Sequence, residues 1–170
     1  MRWLIYLLLT LHFNSWNGCA QDTLNSSISL QIGMNNLDFQ AGLGYARNWN
    51  RIQGFSLIEF GINRSFFQNR LFPRVTFGSA YKLVTKKNFY FGPMLSYSHS
   101  ILKVNKQSNH LHSWNELYVG TRMEYGIRWR FVFAMAAGWQ NERYFDTYLN
   151  RKTGANALGF NVNLGLAYAW

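Results

Sequence analysis

The sequence predicts an all-β fold: a closed, antiparallel, eight-stranded transmembrane β-barrel in up-and-down meander order. The last thirteen residues alternate strictly between apolar or aromatic side chains and small or polar ones. A strand there has one apolar face and one wettable face, because successive side chains point to opposite sides. Similar alternation recurs along the chain, in segments about as long as the roughly 9–11 residues with which a tilted strand crosses a bilayer.

Eight segments show this alternation. They are 24–34, 38–49, 55–66, 74–84, 89–100, 114–127, 131–142 and 156–170. The apolar face of each is expected to contact lipid, and the opposite face to line the interior. The glycines give an independent check, since eight strands leave an interior only wide enough for side chains. Eleven of them share the inward phase: Gly33, Gly42, Gly44, Gly61, Gly78, Gly92, Gly120, Gly126, Gly138, Gly159 and Gly165.

The C-terminal segment carries a resemblance to a known class. Leu166 and Tyr168 precede Trp170 at alternate positions, and this ending resembles the C-terminal signal of outer-membrane β-barrel proteins. Along its mature length the chain is similar in strand number and pattern to small eight-stranded barrels such as OmpX and the membrane domain of OmpA. The resemblance implies a bacterial outer-membrane location, with Leu166, Tyr168 and Trp170 recognised by the barrel-assembly machinery. It implies no single function, because such barrels serve as adhesins, anchors, lipid-modifying enzymes and subunits of larger machines.

The N-terminus predicts a secretory signal peptide. Arg2 is followed by an apolar run through Leu11 and then by Gly18-Cys19-Ala20, which is the order of a basic start, an apolar core and small residues before a cut. We therefore expect a signal peptide at 1–20 and a barrel at 21–170. An alternative is a lipoprotein signal cut before Cys19, which would leave that cysteine lipidated.

Link lengths predict the orientation. The links near 67–73, 101–113 and 143–155 are long and those near 85–88 and 128–130 are short, as expected for extracellular loops and periplasmic turns. Both termini are then periplasmic, and only the tight first outer link at Asn35-Asn36 breaks the trend. Pro93 falls within a strand and lacks an N–H for the ladder, so we expect a bulge or strong twist there.

Five charged residues fall on the inward phase: Glu59, Lys82, Glu116, Arg122 and Glu124. An unpaired charge in so narrow a space is costly, so two lumen ion pairs are predicted, Glu59–Arg122 and Lys82–Glu124. The favoured interpretation is that they fill and register the barrel. A gated or proton-conducting path is the alternative.

No catalytic residues, cofactor or metal site is predicted. Small outer-membrane barrels that deacylate lipid A use His-x-Ser with a Glu on the lipid face, whereas Ser100 and Ser113 directly follow His99 and His112. Adjacent strand residues point to opposite faces, which would separate nucleophile from base. His110 and His112 are expected to be solvated loop residues. A surface metal held by the two is a weaker alternative.

The net charge of +10 and the pI near 10.0 suggest anionic partners. Basic residues gather at the expected outer rim, where they could hold lipopolysaccharide phosphates: Arg64, Arg70, Arg74, Lys103 and Arg143. Lys86, Lys87, Arg128 and Arg130 are placed in the periplasmic turns. Simple solvation of the barrel ends is the alternative, and nucleic acid is not expected in this compartment.

The leading functional hypothesis is a structural or accessory subunit docked to a larger outer-membrane complex for secretion, uptake, conjugation or barrel insertion. Aromatic residues in the expected outer loops favour a binding role: Phe66, Phe67, Phe72, Tyr144, Phe145 and Tyr148. The alternative is that these residues extend the strands above the membrane and pack on each other. One alternative is a stand-alone surface barrel for adhesion or envelope integrity. Another is a lipid-modifying enzyme.

Overall fold

The computed structural model describes residues 25–63, 72–86, 88–103, 111–146 and 150–170. The predicted signal peptide at 1–20, with Cys19, lies outside these residues. Nine strands are present in this part of the chain. They are β1 (Ser26–Asn35), β2 (Phe39–Trp49), β3 (Ile52–Gly61), β4 (Pro73–Tyr81), β5 (Val84–Lys86), β6 (Phe89–Lys103), β7 (Leu111–Gly126), β8 (Trp129–Asp146) and β9 (Arg151–Ala169).

The strands form one closed antiparallel barrel. The strands from β1 to β4 and from β5 to β9 pair in chain order, and β1 pairs with β9 from Ser27 opposite Ala169 to Asn35 opposite Asn161, which closes the ring. The short β5 and the longer β4 both pair with β6, so together they make the fourth strand of the wall. The predicted eight-stranded meander is confirmed.

The sequence alternation becomes the two faces of the wall. Leu30 and Phe131 are 63% and 69% exposed, whereas Gln31 and Val132 beside them are buried. The outward apolar face is what a lipid environment requires of a barrel strand. No helix in the described ranges is long and apolar enough to cross a membrane.

The irregularity expected at Pro93 is present. Ala80 pairs with Met94 and Val84 with Phe91, so three residues of the β4–β5 strand lie opposite only Gly92 and Pro93. This is a bulge, and it falls where proline supplies no ladder donor. Gly92 suits the site, because a Cβ there would collide with the carbonyl oxygen of Tyr81.

The barrel has two unlike ends. The tight-turn end carries the links 50–51, 87–88 and 127–128 and the paired ends of β1 and β9. The loop end carries the links 36–38, 62–72, 104–110 and 147–150. Two of the predicted long links, 101–113 and 143–155, are wrong in extent, because the β6–β7 and β8–β9 hairpins keep their pairing beyond the barrel rim.

Candidate functional site

The lumen is the only enclosed space that the described strands surround, and it is filled in layers. At the loop end, Phe72, Leu102 and Trp114 form a buried apolar cap, with the rings of Phe72 and Trp114 5.6 Å apart. Phe72 was predicted to be an exposed loop aromatic, and this is wrong: its side chain is fully buried. In the cap, the Phe72 ring packs with Leu102 and Trp114 instead of being exposed to water.

Below the cap lies the Arg74 network. The Arg74 guanidinium lies 2.8 Å from Glu116 and 3.5 Å from Glu59, and it donates to Gln40 at 2.6 Å and to Ser98 at 3.0 Å. The Arg74 side chain is fully buried. Such a cation is tolerated in a barrel interior when acceptors surround it.

Arg74 was predicted to lie at the outer rim, and that prediction is wrong. The same alternation that points Val75 and Phe77 outward points Arg74 inward. The β3–β4 register then places it directly opposite Glu59. The signal was present in the sequence, but the residue was assigned by its closeness to a long link.

An apolar layer separates this network from the tight-turn end. This Phe55–Tyr118 layer is one buried cluster made of Phe55, Leu57, Met94 and Tyr118 with four alanines, Ala46, Ala80, Ala134 and Ala136. Tyr118 is fully buried, and its hydroxyl donates to Glu116 at 3.0 Å. Gly159 leaves room for this ring, since a Cβ there would lie 2.6 Å from the Tyr118 oxygen.

The Glu124 network occupies the tight-turn end. Arg122 donates to Glu124 Oε1 at 2.9 and 3.1 Å, and Gln53 donates to the same oxygen at 2.9 Å. Arg130 reaches Glu124 Oε2 at 3.5 Å. Arg130 was expected in a periplasmic turn and is instead 3% exposed, because it shares the inward phase of Val132 and Ala134.

The predicted Glu59–Arg122 pair is therefore wrong. Glu59 pairs with Arg74 on the adjacent strand, and Arg122 pairs with Glu124 two residues along β7. Depth counted from the strand ends neglects strand tilt and stagger. Lys82 is buried with its ammonium 4.2 Å from the centre of the Tyr90 ring, and its pairing with Glu124 stays a prediction.

The remaining predicted rim cations are only partly described. Arg143 is exposed on β8 and donates to Asn141 at 3.1 Å, and Lys103 ends β6. Arg64 and Arg70 lie outside the described residues. Contact of this rim with lipopolysaccharide phosphates stays a prediction.

The predicted insertion signal lies on the lipid-facing side of β9. Leu166, Tyr168 and Trp170 are 43%, 41% and 48% exposed. The ring of Tyr168 packs 5.2 Å from that of Trp129 on β8. Recognition of these residues by the assembly machinery stays a prediction.

His112 does not lie in a loop as expected. It is on β7, half-buried, 3.3 Å from Glu142 and stacked on Tyr144 with ring centres 5.3 Å apart. His99 Nδ1 lies 3.0 Å from Asn115 Oδ1, and His110 falls outside the described residues. The described residues hold no group of three or more metal-ligating side chains.

The layered filling predicts that the isolated protein carries no steady ion current. An ion crossing the lumen would have to pass the apolar cap and the Phe55–Tyr118 layer, where it would lose its hydration without gaining ligands. Planar-bilayer recordings of the reconstituted protein test this. A stable, long-lived conductance step would contradict the packing of the lumen.

Comparisons with known proteins show the fold. The N-terminal β-barrel domain of OprF from Pseudomonas aeruginosa is 8% identical, with a TM-score of 0.61 over 86% of this chain and 98% of that one. A major outer membrane protein from Thermus thermophilus is 12% identical with a TM-score of 0.47, covering 85% of this chain and 99% of that one. Neisserial surface protein A is 14% identical with a TM-score of 0.43, covering 86% and 96%. No protein-family description and no curated protein matches the sequence.

The likeness to the OprF barrel domain, together with the closed antiparallel wall, defines the class: the chain has the fold of a small eight-stranded outer-membrane β-barrel. At these identities the likeness concerns the fold alone.

Proposed function

We propose that this protein is a non-enzymatic accessory subunit of a larger assembly in the bacterial outer membrane, with both termini periplasmic. It docks to its partner through the exposed edge of β9 at the loop end. The filled lumen supports an action through surfaces, because charged and apolar side chains occupy the space that a substrate or solute would need.

Part of β9 has a free edge, and this feature is the main support for docking. β9 pairs with β8 from Arg151 to Tyr168, but with β1 only from Asn161 onward. Residues 151–160 therefore pair with β8 on one edge only. Their opposite edge has no strand beside it among the described residues. Such an edge is a template for strand addition by another chain.

The middle of this edge, residues 154–157, has small side chains. Gly154, Ala155, Asn156 and Ala157 are all exposed, so an incoming strand could approach the backbone closely. Asn36 occupies only the base of the edge, where its side chain donates to the Leu158 carbonyl at 3.1 Å and accepts from the Phe160 N–H at 2.6 Å. The edge from Arg151 to Ala157 lies beyond that bond.

An apolar patch borders the same edge. Leu158 is 85% exposed, and its cross-strand neighbour Trp139 is 46% exposed. Phe160, two residues along, is 40% exposed. An edge strand for main-chain pairing beside an apolar patch fits an extended segment of a partner protein with apolar side chains at alternate positions.

Asn156→Pro tests the docking edge, with Asn156→Ala as its matched control. Residues 158 and 160 bond to Asn36 across the free edge, so residue 156 points its N–H the same way. Proline removes that donor and alanine keeps it. Both variants lose the side-chain bond from Asn141 at 2.8 Å.

After extraction in a mild detergent, native mass measurement should show the wild-type chain and Asn156→Ala in a complex larger than the barrel. Asn156→Pro should run as a free, folded barrel. A wild-type protein that migrates as a free monomer would contradict the proposal and favour a stand-alone barrel for adhesion or envelope integrity.

Two further parts of the proposal concern lipid. The exposed Arg143 supports contact with lipopolysaccharide phosphates at the loop end. The non-enzymatic role is tested by overexpression: a change in lipid A structure would count against it.

A further inference from the structure

The outward face of the barrel wall changes from apolar to polar along one line at the loop end. On β7, β8 and β9 the outward apolar series ends with three exposed residues, Leu117, Trp139 and Leu158. The next outward position on each strand is an asparagine, and Asn141 pairs directly with Asn115 on one side and with Asn156 on the other. The apolar band is the part of a barrel that contacts lipid chains, so this asparagine row lies where the hydrocarbon ends and the lipid headgroups begin.

The oxygens of the asparagine row are already used by hydrogen bonds on the same face. Asn115 Oδ1 accepts from the Tyr97 hydroxyl at 2.7 Å, and Asn156 Oδ1 accepts from the Asn141 amide at 2.8 Å. Asn141 Oδ1 accepts from Arg143 Nε at 3.1 Å. The side-chain groups that these contacts leave available on Asn115, Asn156 and Arg143 are donors: two amide groups and the Nη1 and Nη2 atoms of the guanidinium. The row therefore favours a ligand rich in acceptor oxygens.

Charge is sorted between the two faces of the β8–β9 hairpin. Arg143 and Lys152 are both exposed on the outer face. Arg143 pairs with Gly154, and Lys152 lies two residues along β9, so the two cations are diagonal neighbours about 7–8 Å apart. Glu142 lies on the inner face, 3.3 Å from His112, and the described outer face of the hairpin carries no carboxylate. Two neighbouring cations at the depth of lipid headgroups complement a phosphate.

We propose that the asparagine row, together with Arg143 and Lys152, binds the phosphorylated sugar headgroup of one lipopolysaccharide molecule. A phosphate of the headgroup lies between the two cations, and the amide groups of Asn115 and Asn156 donate to sugar hydroxyl oxygens. The acyl chains lie against the exposed apolar residues below the row. The site rests on the proposed function for its orientation, in which the loop end faces the outer surface, and it specifies the lipid contact proposed for Arg143. It needs no protein partner.

The width of the row favours a sugar headgroup over a phospholipid. From Asn115 to Asn156 the row crosses two interstrand spacings, about 10 Å. The single phosphate of a phospholipid would engage Arg143 and Lys152 and leave the Asn115 amide without an acceptor. Tilted strands also incline the row to the membrane plane, so its donors follow a large headgroup through its depth.

The test is lipid retention by the purified, detergent-folded protein, measured by native mass spectrometry during titration with lipopolysaccharide. We expect the wild type to retain one molecule, and the double variant Arg143→Gln, Lys152→Gln to bind it about tenfold more weakly. Lys86→Gln, Arg128→Gln is the matched control, because it removes two exposed cations from the tight-turn end, and it should bind as the wild type does. Asn115→Leu should weaken binding of lipopolysaccharide but not of phosphatidylglycerol.

Lipopolysaccharide stripped of its phosphates gives a measurement that needs no variant, and the wild type should bind it about tenfold more weakly than the intact lipid. Equal weakening in the two double variants would overturn the proposal, because net charge alone would then explain binding. It would also be overturned if the wild type retained no lipopolysaccharide, bound the phosphate-free form equally well, or bound phosphatidylglycerol as tightly.

Failure of this site is distinguishable from failure of the docking role. The substitutions keep every backbone donor of residues 151–157, so loss of lipid binding leaves the β9 edge intact. A wild-type protein that is extracted as a free monomer contradicts docking and leaves lipid retention by the purified barrel unchanged.

Discussion

Replacing Arg74 with methionine is expected to lower the free energy of unfolding by about 3–5 kcal/mol. Methionine has a comparable length but no charge or donors. The change leaves Glu59 and Glu116 buried with no cation between them, and it strips Gln40 and Ser98 of their shared donor. Breaking a buried pair from one side costs more than the pair itself contributes, because the remaining charge stays desolvated.

Urea unfolding in detergent, followed by tryptophan fluorescence, measures this loss. Arg143→Met is the matched control, since Arg143 is exposed on β8 and donates only to Asn141 among the described contacts. We expect a change within about 0.5 kcal/mol for that variant.

The triple variant Arg74→Met, Glu59→Gln, Glu116→Gln separates charge from packing. It removes the two orphaned carboxylates and should recover a large part of the stability that Arg74→Met loses. If the triple variant is as unstable as the single one, the loss comes from the shape of the arginine rather than from unpaired charge. If Arg74→Met is as stable as Arg143→Met, Arg74 is not buried in the lumen.

The barrel could be predicted from the sequence because its rule is local. Period-2 alternation needs no knowledge of which strands pair, and it placed Leu30, Phe131 and Leu164 correctly on the lipid face. The same rule placed Glu59, Glu116 and Glu124 inside. The bulge opposite Pro93 was also foreseeable, because a missing donor has a local effect.

The lumen ion pairs could not be predicted because they depend on register and tilt. Glu59 lies opposite Arg74 only through the β3–β4 register, and Glu124 takes its arginines from β7 and β8. Arg74 and Arg130 were misplaced for a different reason: each lies close to a link between strands, so Arg74 was assigned to the outer rim and Arg130 to a periplasmic turn. The alternation rule, applied without that bias, gives the inward face for both.

Among the described residues, the two lumen networks have opposite arrangements of charge. Arg74 serves two glutamates at the loop end, whereas Glu124 serves two arginines at the tight-turn end, with Lys82 close by. The Phe55–Tyr118 layer separates them, and we expect it to limit the exchange of water and ions. The described lumen is thus filled in layers, and the apolar layer between the two networks is the part that we expect to block ions.

Tyr118→Ala is therefore expected to destabilise the barrel by about 3–5 kcal/mol, as for other large-to-small changes of buried aromatic residues. The ring is fully buried, and its hydroxyl donates to Glu116 at 3.0 Å. Its loss leaves a cavity beside Gly159, which has no side chain to fill the space, and it removes one of the donors of Glu116.

Tyr125→Ala is the matched control, since Tyr125 lies on the same strand with its ring 58% exposed on the lipid-facing side. Unfolding in urea should show a markedly smaller loss for Tyr125→Ala than for Tyr118→Ala. Phe55, Leu57 and Met94 still occupy the layer in Tyr118→Ala, so that variant should remain without steady conductance in a planar bilayer. Equal losses for the two tyrosines would show that Tyr118 does not fill the lumen, and a steady current in Tyr118→Ala would show that this one ring seals it.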